Sequence, residues 1–312
     1  MSGSLKEKKL YFIVNPQSGG GSTAAFWQAA LQMLNDRGYE YFWEYTQAGN
    51  VGAQVRRAVL ERGAEAVIAM GGDGTLYDVL NGIVENDRLI NDDLIFAAYP
   101  TGSARDFGRT VFPEGRPDLL TFLEQAKVAP IDIGRCAFEG GEVRYFINSF
   151  DVGAGADTCA EVNRDEGRIK RFWKNGRLAF KLTALRILMT FKYTDTTVEL
   201  DNEIFRGSNI ILGCGNGRYI GGGMNIFSLA EIDDGLLDVI LIPRMSRMKI
   251  IRVFSRVYNG TVRLLPGVVY RQTTQVRITA AKALITELDG EIPGTTPVEI
   301  KVLPGILPFM RA

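Results

Sequence analysis

The sequence has no histidine and no net charge, and each absence removes a class of function. Without histidine, Ser-His-Asp and Cys-His catalysis, histidine-ligated zinc and a histidine general base are excluded. Any general base must be a carboxylate, Lys, Tyr or Cys side chain. Lys+Arg and Asp+Glu both number 36 among 312 residues. Because there is no excess of positive charge, we do not expect nucleic acid as a partner.

Cysteine is scarce, and long apolar runs are missing. Cys136, Cys159 and Cys214 are widely spaced and form no CxxC pair. This usage is typical of a reducing compartment and predicts a cytoplasmic protein. No apolar run approaches the roughly 20 residues that a membrane-spanning helix needs. We therefore expect no transmembrane helix.

In the first part of the chain, apolar strand-like runs alternate with segments of helical periodicity. The predicted strands are residues 10–14, 39–45, 66–70 and 94–99, and the predicted helices are residues 23–36, 51–62, 76–84 and 119–126. Such alternation predicts a parallel sheet with helices on both faces. We therefore expect a three-layer α/β domain over residues 1–130.

Three polar, glycine-bearing loops follow strands of this predicted sheet, at residues 15–22, 71–75 and 101–106. The carboxyl ends of parallel strands share one edge, where ligands bind. Glycines let backbone N–H groups approach a phosphate closely. A carboxylate beside phosphate requires a cation, so Asp73 indicates Mg²⁺. The loops predict a nucleotide site, and the alternative is a set of tight βα turns with a capping Asp.

From residue 131 the pattern changes to short strands separated by Gly and Asp turns. Residues 131–302 therefore predict a mainly-β sandwich, interrupted by helices near residues 174–191 and 246–259. Residues 303–312 are apolar and contain two prolines. We expect this tail to pack back on the first domain.

Five motifs in order resemble the soluble diacylglycerol kinase and lipid kinase family, which includes bacterial diacylglycerol kinases and the related sphingosine kinases. The motifs are VNPQSGG at 14–20, GGDGT at 71–75, PTGSARDF at 100–107, DDGLL at 233–237 and LDGE at 288–291. The resemblance implies a phosphofructokinase-like nucleotide domain, similar to that of NAD kinase, and a β-sandwich. It also implies ATP- and Mg²⁺-dependent phosphorylation of the hydroxyl of diacylglycerol or a related lipid alcohol.

The resemblance also implies roles for residues of the first domain. The implied nucleotide-binding residues are Asn15, Ser18, Thr46, Gly71, Gly72, Asp73, Gly74, Thr75 and Ser103. Asp73 and Asp106 would lie near the catalytic Mg²⁺. Phosphoryl transfer needs charge neutralisation and positioning more than covalent catalysis, which suits these residues.

In the second domain, Glu291 is the expected general base, since a lipid hydroxyl must lose a proton as its oxygen attacks phosphorus. Asp289 is expected to support it or to form a hairpin turn. The resemblance further implies a structural Mg²⁺ held by the Asp234 carboxylate and the carbonyls of Glu231 and Leu236. The alternative for this last segment is an acidic turn between strands.

Arg105 departs from the family, which usually has Asn at this position. An arginine there could bind phosphate, or it could pair with Asp106 and compete with the metal. Two alternatives to a lipid kinase stay open. One is an enzyme similar to NAD kinase, which shares the GGDG motif, and the other, motivated by Arg105, is a catalytically impaired lipid- or nucleotide-binding protein.

Two basic clusters suggest how the protein meets its substrate. The clusters are Arg164, Arg168, Lys170, Arg171, Lys174, Arg177 and Lys181, and Arg247, Lys249, Arg252 and Arg256. They predict peripheral attachment to an anionic membrane surface, where a diacylglycerol-like substrate resides. The alternative is a solvated helix face. Relatives suggest a homodimer.

Overall fold

The chain divides into two compact units, which are described separately. The computed structural model describes residues 5–102, 105–125, 127–164, 176–201 and 203–311, apart from the side chains of residues 176–181, 251–253 and 255. One unit comprises Met1–Asp132 and Gly305–Ala312, and the other comprises Ile133–Pro304. These bounds differ by two residues from the boundaries expected from the sequence.

Four parallel strands form the centre of the first unit. They are β1 (Leu10–Val14), β2 (Tyr41–Tyr45), β3 (Ala66–Gly71) and β6 (Ile95–Pro100), and a separate antiparallel pair consists of β4 (Val84–Glu85) and β5 (Arg88–Leu89). The order across the sheet is β2, β1, β3, β6. Every residue of β1, β3 and β6 is buried. Their continuous apolar sequences are typical of strands covered on both faces.

The described part of the first unit has five α-helices: α1 (Ser22–Asp36), α2 (Val51–Leu60), α3 (Asp73–Ile83), α4 (Asp106–Val111) and α5 (Leu119–Gln125). Four of them were predicted from periodicity. Helix α4 was not, because its six residues are too few to show a helical repeat. A 3₁₀ turn at Ser18–Gly21 precedes α1, and Gly19 and Gly20 have positive φ there.

The second unit is an antiparallel β-sandwich. Its strands are β7 (Lys127–Phe138), β8 (Val143–Phe146), β9 (Ser149–Gly153), β10 (Asp195–Leu200), β11 (Glu203–Gly215), β12 (Leu237–Pro243), β13 (Val269–Thr273), β14 (Gln275–Ala280), β15 (Ile285–Leu288), β16 (Glu291–Thr295) and β17 (Val298–Arg311). The first half of β11 pairs with β10, and its second half pairs with β9 and β12. One long strand thus joins the two layers.

Among the residues that the structure describes, three helices accompany these strands: α6 (Ala154–Arg164), α7 (Gly176–Thr190) and α8 (Arg247–Phe254). The sequence predicted α7 and α8, although it extended α8 into the 3₁₀ turn at Ser255–Val257. It missed α6. In the part of the chain that the structure describes, no helix combines the length and the apolarity needed to cross a bilayer.

The last strand begins in the second unit and ends in the first. Near its end, Phe309 is the parallel partner of Phe96 in β6. Phe309 is fully buried, and its ring also contacts that of Phe107 in α4. The sequence predicted that this segment packs on the first domain as a C-terminal tail. In the structure its end is a fifth parallel strand of the first unit.

Helices α2 and α3 approach each other through two glycines. A Cβ at Gly82 would lie 2.7 Å from the Gly52 Cα, whereas a Cβ at Gly52 would lie 3.4 Å from the Gly82 Cα. The first distance is a backbone clash, and the second is near ordinary contact. Because α3 begins in the GGDG loop, this close contact helps to position that loop.

We therefore expect Gly82→Ala to destabilise the first unit by about 1–3 kcal/mol, since the added methyl overpacks two backbones. Gly52→Ala is the matched control on the facing helix. It should be neutral or slightly stabilising, because alanine favours helix by about 1 kcal/mol over glycine. Urea unfolding of both variants measures the difference. Equal stabilities would contradict the asymmetric contact.

Candidate functional site

The three glycine-bearing loops of the first unit meet, as the sequence predicted. A Cβ at Gly102 would lie 2.7 Å from the Gly72 Cα and 3.3 Å from the Ser18 Oγ. A Cβ at Gly19 would lie 2.7 Å from the Thr101 carbonyl oxygen. Side chains are thus excluded where the loops after β1, β3 and β6 touch. Gly102 is buried at this contact, whereas Gly19 and Gly72 are partly exposed, so their backbone N–H groups are the ones suited to meet a phosphate.

Hydrogen bonds hold these loops in register. The Asn15 Nδ2 donates to the Thr75 Oγ1 at 3.1 Å, which ties the first loop to the start of α3. The amides of Thr101 and Gly102 both donate to the Gly71 carbonyl, at 2.9 and 3.0 Å. The Thr46 amide donates to the Val14 carbonyl at 2.9 Å. The loop after β2 therefore starts beside the residue that precedes Asn15.

Asp73 links the GGDG loop to α4. Its two carboxylate oxygens accept the backbone amides of Asp106 at 3.2 Å and Phe107 at 3.4 Å. Asp73 thereby satisfies amides at the start of α4, where intrahelical partners are missing. Burial raises the pKa of Asp73, while these two amides and the Arg109 guanidinium oppose the shift. A cation beside the carboxylate would favour its ionised form.

Three arginines lie along the segment that follows β6. Arg105 immediately precedes α4 and adopts a left-handed backbone with φ of 55°, and its Nε donates to the Gly102 carbonyl at 2.6 Å. The Arg109 Nε lies 3.8 Å from the Asp106 Oδ1. Arg116 stacks on the Tyr99 ring at 4.3 Å and donates to the Pro100 carbonyl. The sequence reasoning assigned no role to Arg109 or Arg116, since isolated arginines carry no local signal.

The residues present fit a magnesium nucleotide. The loops present partly exposed glycine backbone at Gly19 and Gly72, and Asp73 and Asp106 supply hard oxygen donors within one backbone hydrogen bond of each other. Within the described residues, no group of three or more His, Cys, Asp or Glu side chains is gathered around a point. Mg²⁺ suits such a site, because it commonly takes one or two carboxylates and completes its shell with phosphate and water.

In the second unit, Glu291 follows a tightly held two-residue turn. Asp289 and Gly290 both have positive φ, at 49° and 96°, as a type I′ hairpin requires. The buried Asp289 carboxylate accepts three consecutive amides, from Ile147 at 2.7 Å, Asn148 at 3.0 Å and Ser149 at 2.8 Å. Asp289 therefore supports the turn, whereas the exposed Glu291 begins β16.

Helix α6 contacts the same turn. The Cys159 Sγ and the Asn163 Nδ2 each lie 3.0 Å from the Gly290 carbonyl oxygen. Burial, followed by the charges of Glu287, Glu291 and Asp151, raises the pKa of the Cys159 thiol. The thiol therefore stays protonated and donates. Sequence reasoning missed both residues, because the helix that brings them to Gly290 was not predicted.

Asp151 lies in the middle of β9, the strand before α6, and is 1% exposed. A Cβ at Gly155 would collide with its carboxylate, so the first turn of α6 is closely packed on it. Burial raises the pKa of Asp151 to about 8, and the amides of Val152 and Ala156 oppose the shift. Asp151 is thus a buried, protonated carboxyl group on which the first turn of α6 packs.

The predicted structural metal site falls in the loop before β12. The Asp234 Oδ1 accepts the Leu236 amide at 2.9 Å, which closes a local turn, and Glu231 is exposed. The arrangement keeps one carboxylate and nearby carbonyls in a short loop. The assignment of Mg²⁺ to Glu231, Asp234 and Leu236 stays a prediction.

Some predicted residues fall outside the described parts of the chain. They are Ser103, the basic residues between 165 and 175, and the side chains of Arg177, Lys181 and Arg252. Gly71, Gly72, Gly74 and Thr75 all lie at the start of α3 or immediately before it. The implied nucleotide residues that the structure describes therefore share one edge of the first unit's sheet.

Comparisons with known proteins identify the same two parts. Residues 9–136 match the model of the diacylglycerol kinase catalytic domain. Residues 151–311 match that of the YegS C-terminal NAD kinase beta sandwich-like domain. A diacylglycerol kinase of Bacillus subtilis (strain 168) is 26% identical over 297 residues, which cover 94% of this chain and 92% of the relative. One from Staphylococcus carnosus (strain TM300) is 26% identical and covers 93% and 90%.

Solved structures show the same fold. The crystal structure of a putative diacylglycerol kinase from Bacillus anthracis str. Sterne is similar with a TM-score of 0.77. The alignment covers 100% of this chain and 97% of that one, at 19% sequence identity. The two-unit architecture is therefore shared over the whole length.

The raised pKa of Asp151 leads to a pH-dependent stability. In the unfolded chain this carboxyl ionises near pH 4, but in the folded protein it stays protonated to about pH 8. Its favourable contribution is therefore complete at low pH and is lost as the pH rises from 4 to 8. Asp151→Asn cannot ionise. The stability of this variant relative to wild type should rise by about 1.4 kcal/mol per pH unit between pH 5 and 7.

Urea unfolding at pH 5, 6 and 7 measures this difference. Subtracting wild type from variant at each pH removes the contributions of all other titrating groups. A difference that stays constant across this range would show that Asp151 is not held in its protonated form.

Proposed function

This chain belongs to the diacylglycerol kinase family of lipid kinases, and from that premise we propose that it phosphorylates the hydroxyl of diacylglycerol or a related lipid alcohol with ATP. The observation that carries the proposal is the glycine-lined meeting of three loops beside Asp73 and Asp106. Family membership supports ATP as the phosphoryl donor. The choice of lipid rests on the names of the relatives alone.

The first unit would hold the nucleotide. Amides of the loops at Gly19 and Gly72, which are partly exposed, are suited to bind phosphate oxygens, because no side chain separates them from a ligand. Asp73 and Asp106 would hold Mg²⁺. When bound, Mg²⁺ neutralises charge on the phosphates. Asp73 would at the same time keep α4 attached to the GGDG loop through the two amides that it accepts.

The second unit would supply the base. We assign that role to Glu291, which would take the proton of the lipid hydroxyl as the alcohol oxygen bonds to the γ-phosphorus and the bond to ADP breaks. Three features support the assignment: its exposure, its place directly after a fixed turn, and the absence of histidine from the chain. The other two acidic residues are less suitable as the base. The Asp289 carboxylate accepts hydrogen bonds from three amides, and Asp151 is buried.

We further propose that the protein works at the surface of an anionic membrane, where such a lipid is found. The exposed Arg164, Arg247 and Lys249 support this part of the proposal. They would attract the surface by about 1 kcal/mol each. A homodimer stays a prediction.

The first test is lipid kinase activity with and without Glu291. Wild type should transfer phosphate from Mg·ATP to diacylglycerol in mixed micelles. Glu291→Gln should lower kcat by about 10²–10⁴-fold, the usual contribution of a general base, and leave the KM for ATP nearly unchanged. Glu203→Gln, which removes an exposed carboxylate paired with Arg271 elsewhere in the second unit, is the control.

Equal kcat values for Glu291→Gln and wild type would remove Glu291 as the base. If the protein phosphorylates soluble NAD and no lipid alcohol, the assignment as a lipid kinase is wrong. The protein would then be an enzyme similar to NAD kinase.

A catalytically impaired binding protein is the second candidate, and Arg105 is the observation that favours it. Its Nε contacts the Gly102 carbonyl, so the guanidinium lies against one of the phosphate loops. Its left-handed backbone suits asparagine better than arginine. Arg105→Asn should therefore fold at least as stably as wild type.

Under the principal proposal, wild type turns over and Arg105→Asn changes kcat by less than about tenfold, or about 1.4 kcal/mol in barrier height. Parallel lipid kinase assays of the two proteins measure this ratio. A wild type that binds Mg·ATP without turnover, together with an active Arg105→Asn, would support the binding protein.

A further inference from the structure

The carbonyl group of Gly290 receives two side-chain donors from one face of α6. Cys159 and Asn163 are four residues apart, so they lie on the same side of the helix. Both contact the Gly290 oxygen at 3.0 Å, and the Asn163 Nδ2 also lies 3.7 Å from the Cys159 Sγ. Two donors from a different element thus meet at one backbone acceptor.

This carbonyl belongs to the peptide group that leads into Glu291. The Gly290 carbonyl and the Glu291 amide lie in one rigid plane. Fixing the carbonyl direction therefore fixes the backbone plane from which the Glu291 side chain projects. A small rotation of that plane would move the carboxylate tip by much more, because the tip is several bonds away.

The other contacts of the turn act on different groups. The Asp289 carboxylate binds the amides of residues 147–149 and so holds the turn before Gly290. The Gly290 amide, which belongs to the preceding peptide group, donates to the Glu287 carboxylate. Glu291 is the partner of Leu288 in the ladder between β15 and β16, and the two donors of α6 act at the Gly290 carbonyl of the same peptide group.

Helix α6 is itself well anchored. Its first turn packs on the buried Asp151. Thr158 and Ala154 are almost fully buried. The helix contacts β9, β15 and β16. Cys159 and Asn163 therefore extend from a fixed support, as residues that position a catalytic group should.

We propose that Cys159 and Asn163 are positioning residues, which orient the catalytic carboxylate of Glu291 by holding the Gly290 carbonyl. The inference rests on the proposed function of Glu291 as base. It adds two residues that no local motif marks, since Cys159 and Asn163 precede Gly290 by more than 120 residues. The thiol acts as a hydrogen-bond donor and undergoes no chemistry.

The test compares Cys159→Ala, Asn163→Ala and their double variant with wild type. Each single variant should lower kcat several-fold, and the double variant by about 10- to 100-fold, the range that follows from a displaced catalytic group. The KM for ATP should stay within about twofold, because nucleotide binding is assigned to the first unit. Cys159→Ser keeps a donor and should retain most of the activity.

Two controls separate positioning from general damage to α6. Glu161→Gln removes the ion pair between Glu161 of α6 and Arg186 of α7 and should leave kcat unchanged. In a Glu291→Gln background, the double variant should cost no further kcat, since both residues act through Glu291. An additional loss of tenfold there would assign them a role independent of Glu291, which would overturn the proposal.

A second readout needs no activity. Amide hydrogen exchange of the peptide that covers residues 288–292 should be faster in the double variant than in wild type, and unchanged in Glu161→Gln. Unchanged exchange, or a wild-type kcat in the double variant, would overturn the proposal. If wild type phosphorylates no lipid alcohol, the proposed function fails, and the exchange measurement still tests whether the two residues hold Gly290. If the double variant does not fold, the exposed Asn163→Ala carries both measurements.

Discussion

The first unit depends on a backbone contact that only glycine permits. The loops after β3 and β6 touch at Gly72 and Gly102, and side-chain atoms are excluded between them. Asp73 then joins the same two loops by accepting amides at the start of α4. The glycines and the carboxylate form one structure, in which the phosphate-binding loops are held at the edge of a buried parallel sheet. The requirements of folding and of nucleotide binding coincide here, because the close contact of the loops needs glycine and the same lack of side chains suits phosphate binding at the strand ends.

In the second unit, the main structural feature is a fixed turn that positions one exposed carboxylate. Glu291 follows a hairpin turn whose two residues both have positive φ. The Asp289 carboxylate accepts hydrogen bonds from three amides, so it stabilises the turn and is poorly suited to accept a substrate proton. Three neighbouring acidic residues thereby acquire different properties: Asp151 is covered, Asp289 is structural and Glu291 is exposed. Their surroundings, and not their chemistry, distinguish them.

The glycine loops and most helices and strands could be predicted from the local sequence, because periodicity and turn chemistry act over a few residues. The meeting of Gly72 with Gly102 followed from the rule that parallel strands share one carboxyl edge. By contrast, the amides that bind Asp289 lie about 140 residues away in the chain, and Cys159 and Asn163 lie at a comparable distance from Gly290. No local pattern encodes such contacts. Helix α6 was missed because Gly153 and Gly155 interrupt its start and its apolar face is short.

The central claim is that the glycine-lined edge of the first unit binds the phosphates of ATP. Amide NMR shifts of the isotope-labelled full chain, recorded while Mg²⁺ and a non-hydrolysable ATP analogue are added, test it most directly. The account predicts saturable shifts centred on the amides of Gly19 and Gly72. Saturable binding that leaves both amides unchanged, or no binding at millimolar nucleotide, would contradict it.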